Sequence, residues 1–141
     1  MKRWLLAGAI AGPLLLGAAL TARLASTGPV WTTVVYAAAG LVCHQRPDRS
    51  FVTLGVQWPV CGRCTGLYVA APIGAIVAMA TRRRWSGDRA SRWLALAALP
   101  TVASWIAEHA AGLPQTNLER AVLALPLGMA VAFVIVHVVP D

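Results

Sequence analysis

Apolar residues in this chain run in long blocks rather than in alternation. Four blocks, over about residues 4–22, 65–81, 93–112 and 121–139, come close to the ~20 residues that a helix needs to cross a bilayer. Each contains one proline, Pro13, Pro72, Pro100 and Pro126. Such a residue kinks a helix, but neighbouring helices in lipid re-satisfy the carbonyls it frees. A fifth block, Val30–Val42, is too short to cross and follows Gly28-Pro29, a helix-starting pair. It reads as a re-entrant or interfacial helix, with Trp31 and Tyr36 suited to the water–lipid boundary. The expected fold is all-α: an integral membrane bundle of four kinked transmembrane helices. A partly re-entrant outer loop, residues 23–64, bears cysteine and histidine, and the whole chain 1–141 forms one membrane domain.

Composition agrees. Charged residues make up 12% of the chain, against about a quarter in soluble domains. The net charge of +7 comes largely from residues beside apolar blocks: Lys2, Arg3, Arg82-Arg83-Arg84, Arg89 and Arg92. These positions are those of cytoplasmic anchors. They place both termini on the cytoplasmic side of a cell membrane, and the loops 23–64 and 113–120 on the extracytoplasmic side. A full crossing by Val30–Val42 would move the triple arginine outside, against that bias. Basic residues spent on anchoring leave no face for nucleic acid. The first block has a basic start like a signal peptide, but its apolar part exceeds the 7–15 residues of such a leader. The GxxxG pattern Gly8–Gly12 and the weaker Ala71/Ala75 pair allow close helix approach. Both patterns are common by chance in sequence of this kind.

All three cysteines lie in the outer loop or at its end: Cys43, followed by His44, and Cys61-x-x-Cys64. A CxxC turn aims two thiolates at one ion, and three Cys with one His form a tetrahedral zinc set. Cys43, His44, Cys61 and Cys64 are therefore the expected metal ligands, with Zn²⁺ the expected ion. Neighbouring side chains point apart in extended chain, so Cys43 and His44 share a metal only through a local bend. Otherwise the fourth ligand comes from elsewhere, Glu108 or His109 at the outer end of the third block, or is water.

Thr101, Ser104 and Glu108 share one helix face, and an ionisable residue inside a span is a functional candidate. Thr116-Asn117-Leu118-Glu119 matches a capping box, which gives Asn117 and Glu119 a capping role. Arg120 opposes the dipole of the helix it starts, so it calls for an anionic partner, and Glu108 is the choice. Glu108, Arg120 and Arg49 are the candidates for chemistry. Arg46, Arg49 and Arg63 would offset thiolate charge or hold an anionic lipid or small anionic substrate. His137 lies roughly 24 Å deeper in its helix and is set aside. Cys43, Cys61, Cys64, His44, Glu108 and Arg120 are expected to converge in one pocket.

The run Cys43-His44-Gln45 with Pro47, Arg49, Ser50 and Phe51, then Pro59-Val60-Cys61 with Arg63, Cys64, Gly66 and Tyr68, resembles the membrane family called domain of unknown function 2085. Asn117, Arg120 and Gly128 resemble its later Ser/Thr-Asn-x-x-Arg segment and glycine, and Glu108 stands where the family often has Asp. The resemblance covers roughly residues 40–130 and implies no reaction, because the family has none assigned.

Three readings stay open: a metal site at the extracytoplasmic face, a thiol–disulfide oxidoreductase using Cys61-x-x-Cys64, and a scaffold or subunit stapled by its cysteines. Attachment of haem c would need His after the second cysteine, where Thr65 stands. No phosphate-binding glycine loop occurs, and no organic cofactor is expected.

Overall fold

The computed structural model describes residues 2–25, 30–81 and 85–138. In chain order it has helix α1 (Lys2–Leu24), helix α2 (Val30–Val42), a 3₁₀ turn (Pro47–Arg49), strands β1 (Ser50–Thr53) and β2 (Val56–Cys61), and helices α3 (Gly62–Ala80), α4 (Gly87–His109) and α5 (Asn117–Val138).

Each long apolar block is a helix with its proline inside. All four helices begin earlier than their blocks, because polar residues can occupy a helix start. Asp88 occupies the first turn of α4, where the helix dipole favours an anion. Cys61 caps α3. Among the described residues, three helices are long and apolar enough to cross a membrane: α1 over Ala7–Leu24, α3 and α5. Helix α4 matches α1 in length, but Asp88, Arg89 and Arg92 at one end and Glu108 and His109 at the other make it more polar. Helix α2 has 13 residues, about 20 Å against a ~30 Å hydrocarbon core. Pro29, expected to start it, lies outside the described residues.

The connection between α2 and α3 contains an element that the block pattern does not show, an antiparallel hairpin. Thr53 pairs with Val56, Val52 with Gln57 and Ser50 with Cys61, with an irregularity between Ser50 and Val52. Leu54 and Gly55 have φ of 49° and 78°, the two positive angles that a type I′ hairpin turn requires. Phe51 and Trp58 pack across the strands at 5.1 Å.

Helices α3 and α5 lie side by side and run the same way. Gly62, Gly66, Ala70, Gly74 and Ala78 recur at every fourth position of α3 and are all buried. A Cβ on Gly62 would lie 2.6 Å from the Asn117 carbonyl oxygen, and one on Gly66 would run into that of Ala121. This is the small-residue seam that lets membrane helices touch backbone to backbone. The GxxxG of α1 makes no such contact here: among the described residues nothing lies within 4 Å of a Cβ placed on Gly8 or Gly12.

Helix α1 runs opposite to α3. Ala9 packs against Ala75, Ala78 and Val136, while Leu16 packs against Ala39, Cys43 and Val60. The hairpin, the end of α2 and the α4–α5 connection therefore share one end of the bundle. The start of α1, the end of α3 and the end of α5 share the other. His137 sits at that second end, 3.3 Å from the Thr81 hydroxyl and stacked on Phe133, away from the cysteines.

Candidate metal centre

Cys43 follows the last residue of α2 and still donates its N–H to Ala39. The chain then turns through Gln45, whose φ is 46°. The Gln45 amide donates to the Tyr36 carbonyl (2.8 Å) and the Pro59 carbonyl (2.7 Å). Gln57 donates back to the Gln45 carbonyl (2.6 Å), and the Tyr36 hydroxyl to the Gln57 carbonyl (2.9 Å). Residues from α2, the turn and β2 thus satisfy one another, which sets Cys43 against Cys61. Gln45, whose only sign in the sequence is its place beside Cys43 and His44, is thus a positioning residue for the cluster.

The Sγ atoms of Cys43, Cys61 and Cys64 all lie within 4.8 Å of one another. Cys43 is buried, Cys61 and Cys64 are half-buried, and all three are free of disulfides. The Cys61 N–H donates to the Cys43 sulfur at 3.2 Å. The thiol of Cys61 is held down to about 5, chiefly by a hydrogen bond from the Cys64 side chain, with further bonds from the Cys64 backbone and from Cys43. Hydrogen bonds to the ionised form favour it.

His44 is exposed, and its ring nitrogens lie outside the sulfur cluster. Leaving the helix, Cys43 turns inward and His44 outward, the divergence expected of neighbours. His44 nevertheless lines the same cavity of about 360 Å³ as the three cysteines, Arg46, Arg49, Arg63, Arg120 and Trp105.

Glu108 is elsewhere. Its oxygens accept from Arg120 Nη2 (2.7 Å) and Arg63 Nη2 (2.9 Å), with Arg49 Nη2 at 3.4 Å. The expected Glu108–Arg120 pair is present, and two further arginines join it. Glu108 does not line the cavity and stands behind the guanidiniums that do. A carboxylate engaged on both oxygens is not a free metal ligand. His109 also stays outside the cluster. Its Nδ1 lies 2.9 Å from the Trp105 carbonyl, its Nε2 is 3.5 Å from Arg49, and its ring stacks on Trp105. The shared face of Thr101 and Ser104 does turn inward: Thr101 donates to the Leu123 carbonyl, and Ser104 accepts from Arg63 at 3.3 Å.

The α5 start divides its labour. Thr116 and Glu119 form the capping box, with Thr116 N–H to Glu119 Oε2 at 2.7 Å and Glu119 N–H to Thr116 Oγ1 at 3.2 Å. Asn117 is not part of it. Its Nδ2 donates to the Ser50 carbonyl (2.8 Å) and its Oδ1 accepts from Arg120 (2.7 Å), which fastens the hairpin to α5 and orients the arginine.

The sequence model of the family described as "Predicted membrane protein (DUF2085)" matches residues 43–134, and the chain belongs to that family. It is 29% identical over 121 residues to an uncharacterised protein of Methanocaldococcus jannaschii, covering 83% of this chain and 78% of that one. An uncharacterised protein of Methanothermobacter thermautotrophicus is 50% identical over 30 residues, 21% of this chain and 27% of that one. No solved structure matches.

Proposed function

We propose that this protein holds a transition-metal ion, zinc first, between the sulfurs of Cys43, Cys61 and Cys64 at one mouth of a membrane helix bundle. The carrying observation is the meeting of three sulfurs from two distant stretches of chain. Tetrahedral zinc–thiolate bonds of ~2.3 Å put sulfurs about 3.8 Å apart, so small side-chain shifts suffice. The Cys61 N–H on the Cys43 sulfur supplies the backbone donor that a thiolate ligand uses. His44 is the expected fourth ligand: it lines the cavity and makes no hydrogen bond among the described residues. A rotation of the Cys43–His44 segment brings it in, and water otherwise takes the position. Closed by His44 the centre is structural; open to water it is reactive. Arg46, Arg49 and Arg63 line the same cavity and supply counter-charge for thiolates or for an anionic ligand. Metal quantification with a thiol count on anaerobically purified protein tests the reading. About one equivalent of metal per chain supports it, and less than about a tenth ends it.

The same proposal takes α4 as a fourth crossing. Because α3 and α5 run the same way, the chain must return the full thickness of the bundle between them, and α4 is that return. Its outward residues, among them Trp93, Leu96, Leu99, Val102 and Ile106, are apolar and exposed, as a lipid-facing surface requires, while Ser104 and Glu108 turn inward. The basic residues of the N-terminus and of the α3–α4 connection then anchor the cytoplasmic side of the cell membrane, and the sulfur cluster faces outward.

One observation favours a second reading, a membrane thiol–disulfide oxidoreductase. The acidified Cys61 at a helix start is the thiol such chemistry uses. A Cys61–Cys64 bridge that forms and reopens in the isolated protein would select it over the metal.

A further inference from the structure

We infer that the cavity beside the sulfurs binds a phosphate-class oxyanion, held by Arg49, Arg63 and Arg120. This rests on reading the cavity as a ligand site, but not on a metal being bound in it. The first ground is charge. Three guanidiniums with side-chain exposures of 24%, 15% and 9% share one carboxylate, Glu108. Arg46 does not alter the count, since Asp48 accepts from it at 3.1 and 3.2 Å. Two positive charges are thus left over in a partly desolvated site. Three thiolates with a divalent ion would carry one negative charge and cancel only one of them. Buried cations without counter-ions are costly, so an anion of one or two charges is the missing component.

The second ground is hydrogen bonding. Each guanidinium has five donors and no acceptor. Among the described residues, the buried Nε–H groups of Arg63 and Arg120 have no partner, and that of Arg49 reaches only to 3.6 Å from Asp48. Arg120, nine-tenths buried, gives Nη2 to Glu108 and Nη1 to Asn117 and still has donors in hand.

The third ground is shape. The arginines come from three separate elements, the 3₁₀ turn, α3 and α5, and all line one cavity, of about 360 Å³, which has room for a small oxyanion or for the head group of a larger phosphate compound. Guanidinium forks bind phosphate oxygens in pairs, and a tetrahedral phosphate offers three or more oxygens for three arginines to share. Glu108, lying behind them, preorients the donors. The phosphate is either that of a phospholipid head group, with Trp105 and Val42 at the cavity wall leading to an apolar exterior, or that of a soluble phosphate compound.

The test uses the full chain in phosphatidylcholine nanodiscs. Inorganic phosphate is titrated calorimetrically, and lipid retention is read by native mass spectrometry after exchange into detergent with equimolar phosphatidylglycerol and phosphatidylcholine. Saturable binding of phosphate indicates the soluble source. Selective retention of phosphatidylglycerol, displaced by excess phosphate, indicates the lipid source. In either arm Arg63→Gln and Arg49→Gln weaken binding about tenfold or more, Arg63→Lys does so without removing charge, and Arg23→Gln leaves it unchanged. Arg120 still pairs with Glu108 in each variant, and a thermal melt confirms folding. No binding in either arm, or equal binding by folded Arg49→Gln/Arg63→Gln protein, overturns the inference. Metal content measured on the same samples separates the two ideas. Metal without anion sinks only this inference, and anion without metal sinks only the metal centre.

Discussion

The backbone N–H of Cys61 donates to the sulfur of Cys43 across 3.2 Å, joining residues 18 positions apart. That bond ties the end of α2 to the turn that opens α3. It brings the third sulfur to the CxxC pair by way of the β hairpin, so the cluster is a tertiary product.

If these sulfurs are ligands, Cys43→Ser, Cys61→Ser and Cys64→Ser should each lower bound metal from about one equivalent to near zero, because three-coordinate loss cannot be made up locally. His44→Ala should weaken affinity about tenfold or more if the ring closes the site. Competition with a chelator measures both. Undiminished affinity in His44→Ala assigns the fourth position to water.

Ionised Cys61 is favoured in the folded protein, its pKa falling from 9.0 to about 5. The stability it contributes is complete above the unfolded value and is lost as pH drops through about 5. In reduced, metal-free protein one thiol should alkylate with iodoacetamide with a midpoint near pH 5. A midpoint near the ordinary ~8.5 would remove the basis for the redox reading.

Glu108→Gln should destabilise the protein by roughly 3 kcal/mol, since it strips three clustered arginines of their one shared carboxylate. Thermal unfolding in detergent reads the loss. A shift no larger than that of an exposed-surface control, such as Asp48→Asn, would mean that solvent already screens the group.

Gly66→Ala and Gly128→Ala should each force α3 and α5 apart, because their new methyl groups meet the Ala121 and Leu67 carbonyls. A cost of about 2 kcal/mol or more is expected. Gly8→Ala and Gly12→Ala should be neutral or slightly stabilising. Equal effects at the two pairs would contradict the parallel α3–α5 seam.

Reporter tags inserted at Ser86 and at Leu113 should label from opposite sides of the membrane, with Leu113 on the side of the cysteines. Both on one side would remove α4 as a crossing.

The chain's own order of residues determined the helices and the chemistry on offer. Apolar blocks of bilayer length announce themselves because a crossing helix needs about 20 predominantly apolar residues, and α1, α3 and α5 follow directly. The sulfurs were legible as a group because all three cysteines of the chain lie in one loop or at its end, whereas His44, read with them, turns away from the cluster. The Glu108–Arg120 pair was legible because a lone cation at a helix start demands an anion. Other features depended on packing. The hairpin hid in a loop whose turn, Leu54-Gly55, lacks the usual asparagine or aspartate. The helix seam lay at Gly62, Gly66 and Gly74 rather than at the GxxxG of α1, because spacing shows what permits close approach but not which helix arrives. Asn117 fitted a cap by its neighbours and serves as a strut, since only the folded chain brings Ser50 beside it. Arg49 and Arg63 reach Glu108, and Cys43 meets Cys61 and Cys64, for the same reason. These contacts join residues far apart along the chain, and their partners are chosen by how α3, α4 and α5 stack, which no local pattern encodes.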